Sequence, residues 1–129
     1  MAIYLDTSVL AHAILGTDTT ALKWFTSASV QDTIISSTLL RLEISRLLRR
    51  ESLDPSLADP HMERIALVSI NDQILRFAGT FVPHINTLHS IHVATLLYAD
   101  PEANLATHDI TMLQAARNLG ITSFDPLED

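Results

Sequence analysis

The chain contains no cysteine, so a disulfide scaffold, a cysteine-based zinc finger and a thiol nucleophile are excluded. Glycine occurs 3 times and proline 5 times, too rarely for a collagen-like or glycine-rich low-complexity chain. No apolar stretch approaches the roughly 20 residues needed to cross a bilayer, so no membrane association is expected. The first residues lack a basic n-region and place Asp6 within the first apolar run, which argues against a secretory signal and for a cytoplasmic protein. Basic residues are also scarce: 8 Lys and Arg face 15 Asp and Glu, a net charge of −7. As a total, that charge opposes binding to a phosphate backbone.

Apolar residues make up 47% of the 129, enough for a buried core and against disorder. The length suits one domain spanning 1–129. Residues 2–5 and 33–37 are short, apolar, strand-forming runs that each stop at hydroxyl or acidic residues, and 67–70, 104–107 and 121–124 are further strand candidates. Between them lie helical patterns at 9–15, 20–28, 39–50, 71–78, 87–98 and 110–119. Thr7 or Ser8 is the expected cap of the first, and Gly16, Gly79 and Gly120 mark three helix ends. Residues 54–60 read as a turn-rich connector and 61–66 as a helical stretch. Strands alternating with helices predict an α/β domain with a mainly parallel sheet of four to five strands.

In such sheets ligands gather beyond the carboxyl ends of the strands. Asp6 and Asp109 follow two of the predicted strands, and Glu43 lies on the helix after a third, at the edge of its apolar face. A lone strand-end aspartate is ordinarily a cap, and Glu43 has Arg46 and Arg50 as possible ion-pair partners on its own helix. If the three acids converge, however, they need a divalent cation among them, and oxygen ligands suit Mg²⁺ or Mn²⁺. Such an ion can activate water and steady the charge of phosphodiester cleavage. Arg41, Arg46, Arg49 and Arg50 gather half of all the basic residues on the helix that carries Glu43. They form either a solvated face or a phosphate-binding strip beside the cleft.

These residues carry a family resemblance. Tyr4-Leu5-Asp6-Thr7-Ser8-Val9-Leu10, Arg41-Leu42-Glu43, Leu88-His89-Ser90-Ile91-His92-Val93-Ala94-Thr95 and Ala106-Thr107-His108-Asp109 stand in the order of four motifs. Together they resemble the PIN-domain ribonucleases, especially the VapC-type toxins, from residue 3 to residue 126. The resemblance implies a three-layer α/β/α PIN-like fold and metal-dependent cleavage of RNA to 5′-phosphate and 3′-hydroxyl ends. It further implies a toxin held inactive by a VapB-like antitoxin, and a homodimer. Asp6, Glu43 and Asp109 match the family's metal-site acids, and Ser8 and Thr107 match small hydroxyl positions beside them.

The chain departs from the pattern at His89, where the family has a third aspartate. Three outcomes are open: His89 ligates a softer ion and shifts preference toward Mn²⁺, it hydrogen-bonds a phosphate or a metal-bound water, or the site is weakened and the chain acts mainly by binding an antitoxin or regulatory partner. His92, one turn on, reads as a packed and hydrogen-bonded core residue. His12, His61, His84 and His108 show no spacing that argues for chemistry, and Asp125, Glu128 and Asp129 form an acidic tail. An aspartyl-phosphate mechanism at Asp6 fits poorly: Ser8 stands where a second aspartate is wanted, and Lys23 is the only lysine.

Overall fold

A computed structural model describes residues 1–82 and 85–128; His84 and Asp129 lie outside the described residues. Their order is β1 (Ala2–Leu5), α1 (Thr7–Leu15), α2 (Thr20–Gln31), β2 (Thr33–Ser37), α3 (Thr38–Arg50), a 3₁₀ turn (Pro55–Ala58), α4 (Asp59–Met62), β3 (Ala66–Val68), α5 (Asp72–Ala78), α6 (Thr87–Ala99), β4 (Asn104–Ala106), α7 (Ile110–Asn118) and β5 (Ser123–Phe124). All strand pairs are parallel, in the order β3-β2-β1-β4-β5. The α/β fold with a central parallel sheet is as the alternating pattern predicts.

The side-chain alternation of β1 builds the layers. Ile3 and Leu5 enter one core with Leu10 of α1, Phe25 of α2 and Ile44 of α3, while Tyr4 enters the other with Val93 and Leu96 of α6 and Met112 of α7. Both faces of the sheet are therefore covered, which is why its strands read as continuous apolar runs rather than alternating ones. Among the described residues no helix is long and apolar enough to cross a membrane.

Three local expectations are corrected. The N-cap of α1 is Asp6, not Thr7 or Ser8; both hydroxyl residues lie inside the helix, and their side chains turn to the carboxylates instead. The connector is more helical than its prolines suggest: Asp54 caps the 3₁₀ turn through Ser56 N–H, and Pro55 and Pro60 sit in first turns, where a missing N–H costs nothing. Strand β3 ends at Val68, before the expected Ile70, because the chain leaves the sheet there: Ile70 N–H donates to Thr38 Oγ1 at 3.4 Å and Asn71 caps α5.

Helix α3 carries Glu43 and is pinned by its buried face: Leu40, Ile44 and Leu48 are fully buried. Ile44→Ala is expected to lower the unfolding free energy by about 2–5 kcal/mol, the usual range for truncating a buried aliphatic side chain, as measured by urea denaturation.

Candidate functional site

The strand order runs outward from β1 in both directions, β2 and β3 on one side and β4 and β5 on the other. The gap between the carboxyl ends of β1 and β4 is therefore the topological switch point, where a parallel sheet opens a crevice. Asp6 follows β1 and Thr107 follows β4, so the sequence pattern delivers both to this crevice.

Asp6 is 3% exposed. Its Oδ2 accepts hydrogen bonds from Ser8 Oγ at 2.7 Å and from Thr107 Oγ1 at 2.8 Å, and its backbone N–H donates to Ala106 O. Ser8 Oγ also accepts from the His108 backbone N–H, and Thr107 Oγ1 accepts from the Asp109 N–H. Each hydroxyl thus donates to the carboxylate and accepts from the loop after β4, which fastens α1 to that loop. Ser8 and Thr107, matched to hydroxyl positions in the sequence, do stand beside Asp6.

Glu43 is held differently. Its Oε1 accepts from Thr7 Oγ1 at 2.7 Å and lies 2.7 Å from His92 Nε2. The other ring nitrogen of His92, Nδ1, is 2.8 Å from the Tyr4 hydroxyl. The Glu43 carboxylate can only accept, so Nε2 bears the hydrogen and donates to it, which leaves Nδ1 to accept from the Tyr4 hydroxyl. Burial pushes the Tyr4 phenol well above its ordinary range, so the hydroxyl keeps its proton. The ion pair within α3 that the sequence offered is not formed: the bonded partner of Glu43 is His92, not an arginine.

Asp109 is the N-cap of α7: its Oδ1 accepts from Thr111 N–H at 2.8 Å and from Met112 N–H at 3.3 Å. Its Oδ2 lies 3.1 Å from His89 Nε2. Asp109 and His89 are therefore brought together, and Thr107 ties Asp109 to Asp6 through its hydroxyl.

Beside Glu43 opens a cleft of about 970 Å³, lined by Thr7, Glu43, Arg46, Arg49, Arg50 and apolar residues that include Leu42 and Leu88. Three of the four arginines border it, and Arg41 is exposed outside that lining. Leu42 and Leu88 are large apolar side chains left exposed at its edge.

His92 is the packed, hydrogen-bonded core residue that the sequence suggested, but sequence reasoning missed its partners Tyr4 and Thr7 and its bond to Glu43. The signal for them was a phenol and an imidazole within otherwise apolar elements, since buried polar atoms must find partners. It also missed a second cluster, in which His108 Nδ1 bonds Asp125 Oδ2 at 2.8 Å and the His12 ring meets the His108 ring edge-on at 4.6 Å.

Among the described residues no three His, Asp or Glu side chains converge closely enough to cage an ion. The donor chemistry nonetheless suits a hydrated hard cation. Asp6 and Glu43 each commit one carboxylate oxygen to the bonds above, and Mg²⁺ commonly takes only one or two carboxylates and keeps several waters. Thr7 joins the two acids, as the chain neighbour of Asp6 and a hydrogen-bond donor to Glu43.

No family model matches the chain, and no curated protein matches it either. Solved structures do match. The chain is similar to one in VapBC2 from Rickettsia felis bound to a DNA fragment from their promoter, at 13% identity and a TM-score of 0.76, covering 97% of this chain and 98% of that one. It is also similar to a chain of FitAB bound to an IR36 DNA fragment (19% identity, TM-score 0.64, 98% of each chain). A chain of FitAcB from Neisseria gonorrhoeae matches at 20% identity and a TM-score of 0.59, over 98% of this chain and 99% of that one. These matches establish a PIN-like α/β fold. They correct the expectation that the chain is a VapC-type toxin of the PIN-domain ribonucleases. The matched structures are complexes of two proteins, the identities are low, and a five-stranded parallel sheet of this size does not assign the chain to the toxin side.

Two outcomes follow from the hydroxyl and phenol bonds. Thr107→Val leaves Asp6 short of a donor and the Asp109 N–H short of an acceptor, so urea denaturation should show a loss of about 1–3 kcal/mol, largely restored in Thr107→Ser. Because the Tyr4 pKa is raised on folding, its contribution is complete below pH 10, the ordinary tyrosine value, and is lost as pH climbs above it. Unfolding free energy measured from pH 9 to 11 should therefore fall less steeply in Tyr4→Phe than in the parent.

Proposed function

We propose that this chain is a metal-dependent endoribonuclease that works within a toxin–antitoxin complex, with a small VapB-like protein as its partner. One observation carries the reading: Asp6 at the switch point of the sheet and Glu43 in a cleft bordered by Arg46, Arg49 and Arg50 are each oriented by dedicated donors, and Thr7, the chain neighbour of Asp6, donates to Glu43. Oriented acids beside a basic strip suit a polyanion whose backbone is to be hydrolysed.

In this reading Asp6 and Glu43 hold Mg²⁺ or Mn²⁺, which when bound supplies a Lewis acid for the phosphate and lowers the pKa of the attacking water. Ser8 and Thr107 keep the Asp6 carboxylate in one orientation, and Thr7 and His92 do the same for Glu43. The arginines bind flanking phosphates and set the register of the RNA, which offsets the repulsion expected from the net charge. The exposed Leu42 and Leu88 on the same cleft suit an apolar segment of a partner protein, which would compete with RNA for the arginines. A homodimer belongs to the same reading; α5 leaves Leu75 and Phe77 exposed for a second copy.

A second reading, a partner-binding module with little nuclease activity, is favoured by the absence of a three-residue metal cage among the described residues. Purified chain freed of any partner and assayed on RNA with Mg²⁺ and with Mn²⁺ separates the two. The nuclease reading expects metal-dependent cleavage that chelator removes and that Asp6→Asn lowers by more than the roughly 10–100-fold typical of losing an outer-shell partner. Arg46→Ala with Arg49→Ala should weaken RNA binding and reduce its salt slope by about 0.7 for each phosphate that is no longer neutralised. Cleavage absent from the parent and created by His89→Asp decides for the second reading.

A further inference from the structure

We propose that Asp125 is a positioning residue for the Asp6 site: acting through His108, it holds in place the two hydroxyls that orient the Asp6 carboxylate. The consequence for RNA cleavage rests on the nuclease reading above. The coupling itself rests on a chain of hydrogen bonds.

The loop after β4 reaches Asp6 from two consecutive amides. The His108 N–H donates to Ser8 Oγ at 2.9 Å and the Asp109 N–H to Thr107 Oγ1 at 3.1 Å. Both hydroxyls then donate to the same oxygen, Oδ2 of Asp6, at 2.7 and 2.8 Å. The two hydroxyl oxygens lie 3.3 Å apart, close enough to pair with each other once the amides move away. The aim of both protons at Asp6 therefore depends on where the loop places residues 108 and 109.

The backbone alone gives that loop little hold. Strand β5 has 2 residues, and its pairing with β4 stops at Ala106 and Phe124. Beyond that rung a side-chain bond takes over: Asp125 Oδ2 lies 2.8 Å from His108 Nδ1. A carboxylate only accepts, so Nδ1 bears the hydrogen and donates. Asp125 is itself fixed, because its side chain is 7% exposed and its Oδ1 accepts from the Leu127 N–H at 2.9 Å. A carboxylate placed so deeply is costly without such partners, which keeps the bond to His108 made. The ring held in this way meets the His12 ring edge-on, with centroids 4.6 Å apart. His12 follows Ser8 by one turn of α1, so His108 touches one face of that helix twice, with its backbone at Ser8 and its ring at His12. An acid that the sequence assigns to a solvated tail is thus the anchor of the loop.

The test uses the purified full chain with its Asp125→Ala and His108→Asn variants, read by residue-resolved amide hydrogen exchange and by RNA cleavage kinetics in Mg²⁺. In His108→Asn the side-chain NH₂ replaces the ring N–H as donor to Asp125. In Asp125→Ala, exchange at His108 and Asp109 should accelerate by more than at Leu5 and Ile44, which report global unfolding. Its kcat should fall about 10-fold, the lower end of the cost of losing an outer partner of a site, with KM unchanged. His108→Asn should stay close to the parent in both measurements. The inference is overturned, and the proposed function left standing, by any of three results in Asp125→Ala: acceleration no greater than at Leu5 and Ile44, an unchanged kcat, or a raised KM in place of a lowered kcat. A His108→Asn variant as impaired as Asp125→Ala overturns it too. No cleavage by the parent overturns the nuclease reading instead, and the exchange rates then decide by themselves whether Asp125 holds the loop.

Discussion

The burial of a carboxylate at Asp6 is the constraint on which the carboxyl end of the sheet depends. A nearly inaccessible ionised acid is costly unless it is well solvated by the protein. Here the donors are hydroxyls rather than cations, and the residue caps the positive end of a nine-residue helix. Because those hydroxyls belong to α1 and to the segment after β4, compensating the charge also joins two elements that are about 100 residues apart in sequence. Electrostatic need and tertiary closure are met by the same pair of bonds.

Glu43 shows the complementary solution. It is partly exposed, and its orientation comes from an imidazole that reaches through the interior to a phenol on β1. The Tyr4–His92–Glu43 line crosses from the core under α6 to the open cleft, so packing at the sheet is transmitted to the position of a surface carboxylate. Substitutions in that core can therefore alter the site without touching it.

Much of this is legible in the sequence, and the reasons are local. Apolar strand runs ending in Asp6 and Thr107, the apolar face of α3 and the left-handed Gly120 after α7 are all encoded within a few residues. The positions of Asp6, Glu43 and the arginine strip can be named because they belong to such patterns. Family membership is not secured in the same way, since four short motifs suggest an assignment that 13–20% identity across the fold does not carry. The role of Thr7 and the partners of His92 are hidden because they depend on residues 36 to 88 positions away in the chain. The cap of α1 escapes a local reading for the same reason: hydroxyls that favour capping in isolation have a stronger acceptor nearby in three dimensions.

The strand order has a consequence for assembly. The two outermost strands, β3 with 3 residues and β5 with 2, offer few unpaired backbone groups. A sheet whose borders are this short resists edge-to-edge growth, the usual route by which parallel α/β cores recruit stray strands and aggregate. Stable association is consequently directed to helical surfaces, where exposed Leu42, Leu75, Phe77 and Leu88 are displayed.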